Sequence, residues 1–474
     1  MKRVMNNMDS TRQLGEDKIS KLLLKFSIPA IVGMLVNALY NVVDRIFIGN
    51  GVGSLGIAGI TVSFPVMLVI MAFSMLVGVG ANALVAIRLG EQRKEEAELI
   101  FGNAVVLLIG ISTIISITGL VLLDPILELL GASKEVLPYA RAYLRIILIG
   151  TVFQSTSMGM NNFIRSDGNP KMAMNTMLIG AVINTIFDPI FIFGFGWGME
   201  GAALATIMSQ FVSFIWVFSY FLRGKSTIKI RRKNLRLELR IIGSIFAMGF
   251  APFLMQIAAS LLNFIMNKSL VQYGGDIAIS AMGIVNSILT LMIMPLFGIN
   301  QGSQPIIGYN YGARQFNRVK ETYKLAVIIA TIITTFGFII IQVFPGFLIK
   351  LFNNTEPELI SFGIIALRRF TLFLPLIGFQ IVSSNYFQAI GKPTHSALLS
   401  LSRQVLILIP LLLILPNFMG LEGVITAGPI ADFLASMITG VFIYFELQSL
   451  MKKEVENSNK EDSFKKNDEI LKDF

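Results

Sequence analysis

Two stretches of the chain place oxygen-bearing side chains at helical spacing inside otherwise apolar runs. Asn37, Tyr40, Asn41 and Asp44 follow one another at offsets of three, four and seven residues, which puts them on one helical face. Asn184 and Asp188 lie four apart and share a face, and Pro189 follows directly. A proline there frees a backbone carbonyl one turn earlier for a cation or a neighbouring helix. Thr206 stands one turn into the next apolar run. Two carboxylates, an amide and a hydroxyl form an oxygen-only set. Such a set suits a hard cation such as Na⁺, or a proton held between two acids that would otherwise repel. Ionisable groups at membrane depth cost about 2.5–3.5 kcal/mol on insertion scales, so each is a functional candidate. Structural readings stay open beside this one: Asp44 precedes Arg45 and could form an ion pair, and Asp188-Pro189 could end a helix.

Elsewhere the chemistry is thinner. Asp432 is an acid within the last apolar run, and Gln256 and Gln380 are polar positions of the second half. Arg141, Arg145, Arg368, Arg369 and Arg403 read as helix-packing or lipid-phosphate partners, and His395, beside Pro393, as incidental. The chain has no cysteine, which excludes disulfides, thiolate metal sites and cysteine nucleophiles. No Walker lysine motif is present. Gly78-Val-Gly80 reads as a close helix-packing element, because no strand precedes it to support a nucleotide loop. We therefore expect neither an enzyme nor a cofactor beyond a coupling ion.

The elements that must position these residues are bilayer-spanning helices. Hydrophobic residues make up 54% of the chain and charged ones 14%, with a mean hydropathy of +0.71; a soluble domain carries about 25% charged residues. Apolar runs of ~20 residues or more recur twelve times. The pattern predicts an all-α membrane protein: a cytoplasmic N-terminus (1–25), six spans (26–222), a basic linker (223–240), six more spans (241–445) and a charged tail (446–474). Thirty Lys/Arg lie in one alternating set of loops and three (Lys134, Lys268 and Lys350) in the other, so both termini are expected in the cytoplasm. No cleavable signal peptide is read at the start. The net charge of +10 belongs to these loops; the linker reads as a connector touching anionic lipid and not as a nucleic-acid patch. The tail alternates Lys with Glu and Asp and reads as solvated and partly disordered.

The two sets of six spans repeat at an offset near 223 residues. Pro29 matches Pro252, Gly51 matches Gly274, and Asn162 matches Asn385. Gly168-Asn-Pro170 matches Gly391-Lys-Pro393, and Gly198-Met-Glu-Gly201 matches Gly420-Leu-Glu-Gly423. Two similar bundles joined by one linker form a cleft that rocking exposes to either side in turn, which is the plan of a secondary transporter. The acids are not repeated: Asn267 stands at the equivalent of Asp44 and Leu411 near that of Asp188. A requirement of the fold itself would have appeared in both halves.

With these motifs in place the chain resembles the multidrug and toxic compound extrusion (MATE) family of the MOP superfamily, in its bacterial MepA-like branch. The resemblance spans Lys25 to Phe445. It rests on Pro29…Tyr40…Asp44…Gly49, on Asn184…Asp188-Pro189, on Thr206, and on the Gly-Xaa-Pro and Gly-Xaa-Glu-Gly elements of both halves. It implies a monomeric, ion-driven exporter of hydrophobic and cationic drugs in the cell membrane. It further implies that Asp44, Asn184, Asp188 and Thr206 hold H⁺ or Na⁺. Asn37, Tyr40, Asn41, Asn161, Gln256 and Asp432 are the expected lining of the substrate cavity. Gln256 and the uncharged surroundings of Gln380 and Ser384 depart from branches with acids in the second half, which puts a second ion site there in doubt. The alternatives are a flippase for lipid-linked precursors, whose anionic cargo the acids disfavour, and a non-transporting receptor or scaffold.

Overall fold

The computed structural model describes residues 12–222, 226–352 and 356–472, and every regular element among them is helical. In the first half α1 spans Ile19–Gly51, α2 Ser54–Gly90, α3 Lys94–Val121, α4 Leu137–Ser166, α5 Pro170–Pro189 and α6 Gly198–Leu222. In the second, α7 spans Leu239–Leu270, α8 Ile277–Gly312 and α9 Phe316–Val343. Helix α10 is Pro357–Phe370 plus Leu374–Ala389, α11 Pro393–Met419, and α12 starts at Leu421 and runs to Lys472. The tail read as partly disordered is thus a helical continuation of α12 as far as Lys472.

Ten of these helices are long and apolar enough to cross a bilayer, and α10, bent by 51° at its break, is the eleventh. Helix α4 is not among them. It is 30 residues long, a spanning length, but it carries Arg141, Arg145, Gln154, Asn161 and Asn162 and so falls short on apolarity. Packing against α2, α3 and α6 buries Asn161 and half-buries Gln154 and Asn162, while Arg141 and Arg145 stay exposed and Arg141 pairs with Asp124.

Helix α1 begins well before the expected boundary at residue 26. Ile19, Leu22, Leu23 and Phe26 recur at i, i+3, i+4 and i+7, giving the first two turns an apolar face. That face is fully buried, and it packs on Ile299, Ile306 and Ile307 of α8 in the other half. Reciprocally, Ile245 of α7 belongs to the core built from α2, α3 and α4.

The repeated motifs adopt repeated conformations. Gly168 and Gly391 close the ends of α4 and α10 with φ of 86° and 79°, a left-handed backbone that glycine takes without strain. Pro170 and Pro393 then start α5 and α11 at the first-turn position where proline's missing N–H is harmless.

The basic linker is a docked segment more than a lipid-facing tether. Asn103 of α3 donates to the Asn234 and Arg236 carbonyls (3.4 and 3.2 Å) and accepts from the Glu238 N–H (2.8 Å). Arg231 pairs with the buried Glu98 at 2.7 Å. Asp167, just past the end of α4, accepts from the Tyr220 hydroxyl (2.5 Å) and the Thr227 N–H (2.8 Å). Burial pushes the Asp167 carboxyl up to about 7, against the opposing effect of those hydrogen bonds.

The halves meet backbone to backbone at the end that carries the basic loops. A Cβ at Gly249 of α7 would collide with the Leu76 carbonyl of α2, and one at Gly80 with the Ile245 carbonyl. Gly90 of α2 and Gly312 of α8 are pressed in the same way against the Tyr309 and Ile87 carbonyls, as Gly302 is against Ser27 of α1. The Gly78-Val-Gly80 element is therefore a packing device, with Gly78 against Gly159 inside its own half and Gly80 across the junction. Asn82 adds a hydrogen bond to Gln304 across the halves (3.5 Å) and accepts one from Ser166 (2.7 Å).

Two outcomes follow. Gly249→Val should destabilise the junction by roughly 1–3 kcal/mol, the cost of overpacking. In the cysteine-free chain this reads as lower disulfide cross-linking between Ala86→Cys and Gly308→Cys, whose Cβ positions adjoin across α2 and α8. Asp167 binds its proton more tightly when folded, so its contribution to stability falls as pH rises from about 4 to about 7. Thermal melts of Asp167→Asn should show a flatter pH dependence across that window than wild type.

Candidate functional site

Helices α1, α5 and α6 bring Asp44, Asn184, Asp188 and Thr206 into one buried cluster. Asp188 is 0% exposed and Asn184 1%. The Asn184 amide donates to Asp188 Oδ1 (3.2 Å) and to Thr206 Oγ1 (3.4 Å), so one side chain ties α5 to itself and to α6. Thr206 turns its own proton back onto the Ala202 carbonyl at 3.0 Å, leaving its oxygen as the acceptor. Asp44 reaches across from α1, and its carboxyl group is in hydrogen-bond contact with that of Asp188. No ion pair joins Asp44 to Arg45 among the described residues, so the structural alternative for Asp44 is not realised. The regular α-helical part of α5 does end at Pro189, and a wider, π-type turn over Ile190–Gly194 follows it.

Asp44 Oδ1, Asn184 Oδ1 and Asp188 Oδ2 are buried with no hydrogen-bond partner among the described residues. Buried acceptors of this kind are costly unless something occupies them. Their chemistry fits a proton or a monovalent hard cation. Among the described residues no group of three His, Cys, Asp or Glu is placed to hold a metal ion.

Tyr143 of α4 is a member of the cluster that spacing could not reveal. It is 2% exposed, and its phenol lies within electrostatic range of Asp44, Asp188 and Tyr40. Ile48, Ile60, Ile147, Ile192 and Met199 form the apolar packing on which these groups sit. The signal for Tyr143 is contact between helices far apart in sequence, which no single run displays.

The expected cavity residues divide. Tyr40 and Asn37 are half-buried on α1, and Tyr40 lies within electrostatic range of Tyr143. Asn161 on α4 is buried with its Oδ1 without a partner among the described residues. Gln256 on α7 is half-buried. The side chain of Asn41 lies outside the described residues. Asp432 departs from expectation: it is 1% exposed and bound to Arg403 Nε at 2.5 Å. Arg403, read as a lipid or packing partner, is thus the counter-ion of Asp432. It sits at the start of a second π-type turn, Ser402–Leu408, in the middle of α11. The second half therefore carries an internally neutralised pair where the first carries unpartnered acceptors.

Asp432→Asn should strand Arg403 and cost up to about 3–5 kcal/mol, less to the extent that the quarter-exposed arginine finds water. Arg403→Gln combined with Asp432→Asn should recover most of that loss, measured as the melting temperature of the purified protein.

Comparison with known proteins shows what the chain as a whole is similar to. The MatE family model matches the chain twice, over residues 29–190 and 252–414. The multidrug export protein MepA of Staphylococcus haemolyticus is 28% identical over 434 residues, covering 92% of this chain and 95% of that protein. MepA of Staphylococcus aureus strain MSSA476 is 26% identical over 426 residues, with 90% and 94% covered. Among solved structures, the MATE multidrug transporter DinF-BH superposes with a TM-score of 0.85 at 42% identity, covering 91% of this chain and 96% of that one. An outward-facing multidrug resistance MATE transporter of the MOP superfamily gives a TM-score of 0.87 at 27% identity, with 92% and 98% covered.

Proposed function

This chain belongs to the MatE family, and from that premise we propose that it is a secondary exporter of hydrophobic and cationic drugs, driven by H⁺ or Na⁺ entering at Asp44 and Asp188. The observation that carries the reading is the contact between those two buried carboxyl groups, flanked by Asn184 and Thr206. Two anionic carboxylates so close repel unless a positive charge joins them. Ion arrival therefore changes how α1 packs on α5 and α6, and ion loss changes it back.

In the proposed cycle the protein closed at its basic-loop end takes up the ion from outside, and the repacking of α1 favours release of drug outward. Return to the other state delivers the ion to the cytoplasm and admits new drug from there or from the inner leaflet. The ion biases the equilibrium only by the difference in its affinity for the two states. The drug path would run past Asn37, Tyr40, Asn161 and Gln256. The excess of Lys and Arg in one set of loops supports a cytoplasmic position for the basic-loop end and both termini. A monomer suffices, because both halves lie in one chain.

The test is ethidium efflux from proteoliposomes under imposed pH or Na⁺ gradients, with wild type beside Asp44→Asn. Gradient-driven efflux should fall to the leak rate in the variant, while its melting temperature stays near or above that of wild type. Full gradient-driven efflux by Asp44→Asn would overturn the proposal. Which gradient drives the wild type identifies the ion.

A further inference from the structure

At the basic-loop end, on the far side of the glycine junction from the acids, lies a cavity of about 1050 Å³. That is ample for a drug- or nucleotide-sized ligand. Five separate segments wall it: the N-terminal helix 12–16, the α2–α3 turn, the linker at Thr227, the α8–α9 turn and α12. The N-terminal helix is tied to both halves. Gln13 donates to the Gly168 carbonyl (2.8 Å) in the first half, and Arg318 of the second donates to the Asp17 carbonyl (2.7 Å).

The charges around this cavity do not cancel. Arg88, Glu91, Arg93 and Glu96 neutralise one another, with contacts of 2.5 to 3.7 Å. Arg12, Lys94, Arg314 and Lys453 then face Glu16. Among the described residues none of these four cations takes part in an ion pair; Lys453 donates to the Tyr311 hydroxyl at 3.1 Å. The positive-inside rule accounts for cations at this end. It does not account for their convergence on one volume from both halves and both ends of the chain.

The two turns add a second observation. Gln92 and Arg314 occupy equivalent positions of the repeat, and both line the cavity with a left-handed backbone, φ 61° and 57°. Each closes its helix through a six-residue hydrogen bond, Arg93 N–H to the Arg88 carbonyl and Gln315 N–H to the Asn310 carbonyl, both 2.9 Å. Glycine fills that position at no steric cost. Both halves keep a long polar side chain there instead, and backbone strain of this sort gathers where ligands bind.

We propose that this cavity binds a polyanionic, phosphate-bearing ligand, which draws Arg12, Lys94, Arg314 and Lys453 together across the two halves and holds the basic-loop end closed. Phosphate oxygens accept charge-assisted hydrogen bonds from several donors at once, and arginine's fork suits them well. A ligand touching both halves binds only where they are joined, so it favours that state by its differential affinity. The shared chemistry could come from a soluble polyphosphate or from an anionic lipid headgroup. The inference stands on this cavity alone and is independent of the identity of the driving ion or the drug.

The experiment uses full-length protein in nanodiscs, with inorganic triphosphate as the soluble probe and phosphatidylglycerol set against phosphatidylcholine. Spin labels at Lys171→Cys and Thr394→Cys, exposed on the two halves of the cysteine-free chain, report the distance across the closed end. Triphosphate should bind saturably in phosphatidylcholine discs and enrich the short distance. Arg12→Gln/Lys94→Gln/Arg314→Gln should weaken binding by roughly tenfold per lost contact, and Arg12→Lys/Arg314→Lys, which keeps the charge, should retain it. Enrichment of the short distance by phosphatidylglycerol, lost in the triple glutamine variant, assigns the seat to a lipid headgroup. Equal binding by wild type and the triple glutamine variant, or no change in distance with either probe, overturns the proposal.

Discussion

Carboxyl groups placed in contact beneath the surface of a helical bundle cannot both stay charged without a positive partner between them. Asp44 and Asp188 are buried side by side in that position. Asn184 fixes Asp188 along α5 and reaches Thr206 on α6, while Tyr143 of α4 closes the cluster from the side. A π-type turn, Ile190–Gly194, follows Pro189, the residue at which regular α-helical pairing in α5 ends. The second half solves the same problem differently. Asp432 has Arg403 as a built-in counter-ion, so its charge is settled within the protein and needs nothing from outside.

The scaffold is largely legible in the residues, and the site partly so. Spacing alone gathers Asn37, Tyr40 and Asp44 on one face and Asn184 with Asp188 on another, because a helical period is a local property. Tyr143 and the Arg403–Asp432 pair escape, since they depend on which helices become neighbours. Helix α4 is legible as a span by its place in the alternation of loop charge, although its own composition is too polar to announce one. Hydropathy sets the start of α1 too late because Lys18, Lys21 and Lys25 mask an apolar face that packs on protein rather than lipid. The linker's basic run suggests a lipid tether. Its anchors, Asn103, Glu98 and Asp167, lie 60 or more residues away in sequence and carry no mark of the partnership.

The junction between halves depends on the absence of side chains. Gly80, Gly90, Gly249 and Gly312 allow helices to meet at carbonyl distance, where even a methyl group would intrude. Contact at that range gives a steep, short-ranged attraction that is lost within a small separation. A junction of this kind favours two states, joined or parted, over a continuum. The apolar faces exchanged between halves, α1 onto α8 and Ile245 of α7 into the first-half core, resist complete separation on the same side.

The docked linker gives this motion an axis. Asn103 holds the Glu238 N–H, and α7 begins at the next residue, Leu239. Slack that a free tether of that length would provide is already taken up on the first half. The second half is therefore attached at a fulcrum rather than by a leash. In the proposed cycle its travel would become rotation about a point near residue 238, with small displacements there and large ones at the opposite ends of α7 and α8. Lever arms of that geometry magnify a sub-ångström adjustment near the pivot into an opening wide enough for cargo, and they make the length of the helices part of the machine.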